Sequence, residues 1–439
     1  MEDGKEITAF MKTLLDDYEH LRGKKKDSYG RPFWDLVVIT TADIAQKEAF
    51  QLQIEEKFKR NELPLDLTII LVPDPPGVRI GNGGSTLIAL EFLDQVYGAE
   101  MYQKKTLMIH AGGWSQRMPS ATILGKIFSL LPHGNPPYQM LDFKLALYWP
   151  LVDKIEPGVF LVCADDFLLY SFVSSKEWKI PARGFTALAH PSPIAVGRTH
   201  GVFVVKDITE INLGNPVIIN ECLEVLQKPT DERMKSQGAL LKGESHDFAD
   251  GIRIEGEAVY TDSSFYFGTD IMQKLLNFKK SVGNLCCEID AYGDFLQAVG
   301  ISATNRYIHD TPNISQVTSN LFKMRQGVFD CLNGSDIHVL ILNASVFVHI
   351  GTIKELLYYF CQDTIFQNQM AFEKNVFNAW NLSAQIREDA SLFNSSKVNR
   401  DEDKISHAAC IMHSSINNES TIDEDCVIDY CDFELPVHI

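Results

Sequence analysis

The run TLMIHAGGWSQRMPSATILGK, from Thr106 to Lys126, decides the fold. An apolar stretch ends at His110, and two glycines follow almost at once. Glycines directly beyond a strand, then an Arg and a Lys, are the form of a ligand-facing loop at the carboxyl end of a buried strand. Gly112 and Gly113 let the backbone approach a ligand closely. Arg117 adds a planar fork for phosphate oxygens, and Lys126 a mobile point charge. On these residues alone, a surface Arg and Lys with no ligand stays open.

Outward from this run the same grammar repeats. LVVIT (36–40), LTIILV (67–72), VFLVCA (159–164), GVFVV (201–205) and SSFYF (263–267) read as buried strands, with helices over 43–60, 84–97 and 137–149. Strands alternating with helices predict an α/β, Rossmann-like, mostly parallel sheet covered on both faces. Residues 1–30 read as a helix (Ile7, Phe10, Met11, Leu14, Leu15, Tyr18) and a basic loop, and 31–360 as the catalytic domain. A helix and polar linker follow over 361–405. Ile416, Ile422 and Ile428 stand six residues apart, the period of a parallel β-helix, so 406–439 reads as a β-helix segment, either very short or cut off, or as ordinary strand.

Composition narrows the function. The chain has 439 residues, 45% of them hydrophobic, enough for a full core, and a net charge of −18 that disfavours DNA or RNA as partner. No run of about 18 apolar residues predicts a membrane span, and no signal-peptide core opens the chain. Nine cysteines without paired spacing fit a reducing compartment, so the chain reads as cytoplasmic.

A second Gly-rich turn, Gly81-Asn82-Gly83-Gly84-Ser85-Thr86, opens a helix and offers backbone N–H groups to an anion. A plain tight turn is the rival reading. With Gly112, Gly113, Ser115 and Gln116 these residues form the candidate nucleotide site. His190 and His200 stand near strand ends, where a structural role competes with lining a pocket.

The order of motifs resembles the sugar-1-phosphate nucleotidyltransferases. GG-x-x-x-R-x-x-P…K…LP is similar to their nucleotide signature, Thr199-His200-Gly201-Val202 to their Tyr-Gly-Val strand, and Gln227-Lys228-Pro229 to their Glu-Lys-Pro motif. RIGNGGSTL, GFTALAHPS, CEIDAYGDFLQA and HIGT resemble, more narrowly, the fucose-1-phosphate guanylyltransferase family. That resemblance implies GTP and β-L-fucose 1-phosphate as substrates, GDP-L-fucose and pyrophosphate as products, Mg²⁺ as cofactor, and a terminal left-handed β-helix. Arg117 is then expected on the β- and γ-phosphates, Lys126 on the α-phosphate and Lys228 on the sugar phosphate. Asp166, or its neighbour Asp165, is expected to hold the metal. His349 stands where many relatives have a second metal-binding Asp, so it is either a ligand or a buried structural histidine; Asp262, Asp290 and Asp294 are substitutes. Glu288, Asp290 and His190 are candidate sugar contacts, with a helix cap the rival for Asp290. A pyrophosphorylase for another sugar or nucleotide, and a catalytically silent regulatory subunit, are the alternatives.

Overall fold

The computed structural model describes residues 4–113, 115, 117–122, 124–173, 175, 177–311, 314, 317–373, 375–376, 379–380, 406, 408–417 and 419–439. Gln116 and the expected polar linker at 381–404 lie outside them. The strands run β1 (Leu36–Thr41), β2 (Ile69–Pro73), β3 (Lys105–His110), β4 (Gly158–Cys163), β5 (Asp166–Tyr170), β6 (Phe185–Pro193) and β7 (Gly201–Val205). Then come β8 (Val217–Gln227), β9 (Ser245–Asp247), β10 (Arg253–Glu255), β11 (Ala258–Gly268), β12 (Ile337–Leu342) and β13 (Ser345–His349). The first helices are α1 (Lys5–Leu21), α2 (Ile44–Lys59), α3 (Gly81–Tyr97) and α4 (Met140–Tyr148).

Nine strands form the central sheet in the order β2-β1-β3-β4-β11-β6-β12-β8-β7. Strands β1 and β4 are mostly apolar because both faces are covered. Val37, Ile39, Leu107, Ile109, Phe160 and Val162 join one core with α1, α2 and α4. Leu36, Val38, Met108, Val159 and Leu161 join the other, with α3 and the helix Thr269–Val282. Alternate side chains of a strand face opposite sides, so each run must satisfy two cores. Each fully buried large aliphatic contributes roughly 1.5–3 kcal/mol.

The expected mostly parallel sheet is corrected to a mixed one. The β2–β1–β3–β4 edge and the β6–β12 pair are parallel. The β4–β11, β11–β6, β12–β8 and β8–β7 pairs are antiparallel. A parallel neighbour needs a crossover of a dozen or more residues, usually a helix. Between β6 and β11 the α-helices are the short Ile194–Gly197 and Asp231–Ser236.

The basic loop follows α1, whose Ile7, Met11, Leu14, Leu15, Tyr18 and Leu21 belong to the first core. At the other end, Cys410 pairs in parallel with Val427 and Ser415 with Asp432, each 17 residues further on. Thr421 bridges His438 at the same interval. Ile416, Ile422 and Ile428 are all buried in the small core inside these stacked turns. No helix among the described residues is long and apolar enough to cross a membrane.

Candidate active site

The carboxyl ends of β1, β2 and β3 open into a crevice of about 940 Å³. Its floor is the loop after β3. A Cβ at Gly112 would stand 2.9 Å from the backbone nitrogen of Ala42, so glycine is required where the loop crosses β1. Asp43 caps α2 by accepting from Gln46 N at 2.7 Å. The Gln46 amide in turn donates to Gly113 O at 3.0 Å and fixes the loop. Ser115 adopts a left-handed φ of 44°. Arg117 is exposed in the crevice, and its carbonyl accepts from Ile353 N at 3.3 Å. Lys126 enters from a 3₁₀ turn whose Ile127 and Phe128 are fully buried.

The chain bends between β4 and β5, and the two aspartates of that bend part company. Asp165 turns to the crevice side. Its Oδ2 lies 2.5 Å from Lys126 Nζ and 3.3 Å from His349 Nε2. Burial alone would raise this carboxyl, but the His349 hydrogen bond and the Lys126 charge hold it well below the usual carboxylate range. The same bond raises His349, against desolvation. Asp166 turns inward instead, 2% exposed, with Lys144 Nζ on its carboxylate and 2.5 Å from its carbonyl oxygen. The sequence favours Asp166 as the metal residue; the geometry favours Asp165, because a carboxylate engaged by a buried lysine does not face substrate. His349 is likewise the hydrogen-bond partner of Asp165.

Three further expectations change. α3 begins at Gly81, so Gly83, Gly84, Ser85 and Thr86 are helical. The N–H groups of Gly83 and Gly84 are not offered to an anion: both donate to Ile289 O, at 2.9 and 3.4 Å. These glycines let α3 pack tightly, since a Cβ at Gly81 would stand 2.4 Å from Ile289 O. Asn82 Oδ1 accepts from Ala291 N at 2.8 Å, and Thr86 Oγ1 bonds His110 Nε2 at 2.9 Å. His190 is fully buried between Ser345 and Ser263 hydroxyls, at 2.8 and 2.7 Å, and does not line the crevice. Burial pushes it down to about 3, so it is neutral. Asp290 caps the short helix that follows by accepting from Tyr292 N at 2.9 Å. Glu288 does line the crevice. Lys228 is exposed beyond β8, at a left-handed φ of 45°, its N–H donating to His200 O at 3.0 Å. The His200 ring lies 6.4 Å from His349, which puts Lys228 on the His349 side of the site.

The sequence of this chain matches known proteins over most of its length. The fucose pyrophosphorylase domain matches residues 98–439. The chain belongs to the fucose pyrophosphorylase family. It is 40% identical over 423 residues to the fucose-1-phosphate guanylyltransferase of Mus musculus, covering 95% of this chain and 68% of that protein. It is 39% identical over 421 residues to that of Homo sapiens, with coverages of 94% and 69%. A bifunctional fucokinase/GDP-fucose pyrophosphorylase of Arabidopsis thaliana is 28% identical over 256 residues, 52% of this chain and 24% of that one. A UDP-glucose pyrophosphorylase from Acinetobacter baumanii aligns over 82% of this chain and 84% of its own, at 10% identity and a TM-score of 0.31. Gly112, Arg117, Lys126, Asp165, Lys228 and His349 all fall inside the matched domain.

The family resemblance implies Mg²⁺, and the donor set allows a test of fit. Among the described residues no three His, Cys, Asp or Glu converge as a metal cage. Mg²⁺ is commonly held by one or two carboxylates together with substrate phosphates and water. Asp165, bonded to Lys126 on the crevice side, would suit that second arrangement.

One crevice residue was missed from sequence. Asp74 follows β2 in LTIILVPDPPG, a carboxylate just beyond a strand end, and that position was its signal. Burial pushes its carboxyl up from 3.8 to about 6, against the hydrogen bond from Ser85. The folded state therefore holds a proton more tightly than the unfolded chain, and stability rises as pH falls from about 6 to 4. Asp74→Asn removes this contribution. Urea melts should show the variant about 3 kcal/mol more stable than wild type at pH 7.5 and nearly equal to it below pH 4; parallel pH profiles would contradict this.

Proposed function

We propose that the chain transfers a guanylyl group from GTP to β-L-fucose 1-phosphate, giving GDP-L-fucose and pyrophosphate. The observation that carries the reading is the gathering of Gly112, Gly113, Arg117 and Lys126 around one crevice, in a chain of this family. The reaction is an in-line attack by a sugar-phosphate oxygen on the α-phosphorus. It needs no protein nucleophile; positioning and neutralisation of negative charge suffice. The Gly112–Gly113 loop lets the triphosphate lie against backbone. Arg117 forks onto the β- and γ-phosphates and follows the leaving pyrophosphate. Lys126 stabilises charge growing on the α-phosphate. Lys228, on the His349 side, anchors the fucose phosphate for attack from opposite the leaving group. A Mg²⁺ held by Asp165 and phosphate oxygens would neutralise phosphate charge, and His349 orients that carboxylate through its 3.3 Å bond.

The test is pyrophosphate release from four nucleoside triphosphates against a panel of sugar 1-phosphates, with Mg²⁺ present or chelated. GTP with fucose 1-phosphate should give the highest kcat/KM. Turnover with no pair would sink the transferase reading; a better rate with another pair would replace only the substrates. Lys228→Ala should raise the KM for fucose 1-phosphate about tenfold or more while the KM for GTP stays within twofold, the loss of one charge-assisted contact. An unchanged sugar-phosphate KM would take Lys228 off the site.

A further inference from the structure

The phosphate chemistry leaves one wall of the crevice unexplained. Asp74 is tied to the end of β1 by its N–H, which donates to Thr41 O at 2.8 Å. Its Oδ1 accepts from Ser85 Oγ, at the start of the second turn of α3, at 2.6 Å. Among the described residues no ion pair to Asp74 offsets its burial, and the Ser85 hydroxyl is what favours its charge. A carboxylate without a counterion in a partly buried crevice is costly unless something else comes to it. Two large apolar side chains line the same end, Ile44 at the start of α2 and Val78 after β2. They are 60% and 44% exposed. A carboxylate beside open apolar surface suits a flat, mostly apolar ligand with hydrogen-bond donors on one edge.

Strand order fixes how far this wall lies from the phosphates. The sheet edge runs β2, β1, β3, β4, and neighbouring strands are about 4.8 Å apart. Asp74 therefore stands two spacings, roughly 10 Å, from the Gly112–Gly113 loop, and three, roughly 14 Å, from Asp165. A nucleotide lying along the edge with its phosphates at the β3 and β4 loops carries its base to the end of β2. Among the common bases only guanine turns two adjacent donors, N1–H and the N2 amine, to its pairing edge. An ionised carboxylate is acceptor-only and can take both at once. Adenine and uracil place an acceptor there and are repelled.

We propose that Asp74 selects guanine by accepting N1–H and N2–H of the base, which lies against Ile44 and Val78, while Ser85 fixes the carboxylate. This rests on GTP being the nucleotide substrate. The experiment is calorimetric binding of GTP, ITP, XTP and ATP, without sugar phosphate, to wild type and to Asp74→Asn. ITP lacks the N2 amine and should bind wild type about tenfold more weakly than GTP, and ATP about 100-fold more weakly. In the variant the amide NH₂ meets the C2 carbonyl of xanthine, so the XTP to GTP affinity ratio should rise by about 100-fold. Equal loss for all four nucleotides would mean that Asp74 merely holds Ser85 and α3, and would overturn the proposal. So would equal affinity of wild type for GTP and ITP, a comparison that decides the matter even if the variant does not fold. Guanine selectivity in binding without pyrophosphate release from fucose 1-phosphate would sink the proposed reaction and leave the base reader standing.

Discussion

Lys126→Ala should lower kcat for pyrophosphate release by about 100- to 1,000-fold, the 3–4 kcal/mol typical of a lost charge-stabilising donor. The KM for GTP should change by less than tenfold, because Arg117 and the loop backbone still bind the triphosphate. The position of Lys126 is set by the turn before it. Gly125 has φ 83°, and a Cβ there would stand 2.5 Å from the Phe50 ring, so only glycine admits the turn. Ile127 and Phe128 then anchor it in the core. The Nζ is held 2.5 Å from Asp165 Oδ2, ready for a developing negative charge beside it. A rival role, in which Lys126 only steadies Asp165, makes a different prediction. Under it, Lys126→Ala and Asp165→Asn would be no worse together than apart, and Lys126→Arg would restore full activity. A loss of tenfold or less would remove Lys126 from the reacting centre.

The parallel half of the fold was legible because its signals are local. Each strand there is a short apolar run, and β1, β2 and β3 are each followed by a helix before the next strand, so β1 to β4 and α2 to α4 fall where pattern predicts. The antiparallel half was not. Strand direction is decided by which segments pair, and the partners of β11 are β4 and β6, about 100 and 70 residues earlier in the chain. The same distance hid the fate of α3: its free N–H groups are taken by Ile289, invisible from the glycines themselves. His190 failed for a related reason, since Ser263 and Ser345, which satisfy it, come from β11 and β13. The choice between Asp165 and Asp166 turns on period-two alternation, and the bend between β4 and β5 breaks the count at that point. Arg117 and Lys126 could be found because glycines, a strand end and two cations lie within one short run.

Lys144→Ala should cost about 3–5 kcal/mol of stability at neutral pH, the penalty for leaving a buried charge without its partner. Lys144 is fully buried on α4, and Asp166 is 2% exposed. Asp166 Oδ2 has no hydrogen-bond partner among the described residues, so the lysine carries nearly all the compensation. Burial already raises the Asp166 carboxyl and Lys144 opposes that rise; without the lysine it climbs further. A raised native value means the folded variant binds a proton that the unfolded chain releases, so its deficit should shrink as pH falls toward 5. Replacing both partners, with Lys144→Met and Asp166→Asn, should recover half or more of the loss, because no buried charge is left behind. The site feels the change through the backbone. Asp166 pairs with His349 across β5 and β13, and Ile350 N donates to Asp165 O at 3.0 Å. Lys144 is thus expected to position the Asp165–His349 pair through that backbone, and part of the activity the variant loses should return as pH falls. Denaturant melts showing a loss under 1 kcal/mol, or a deficit independent of pH, would show that Asp166 finds another partner.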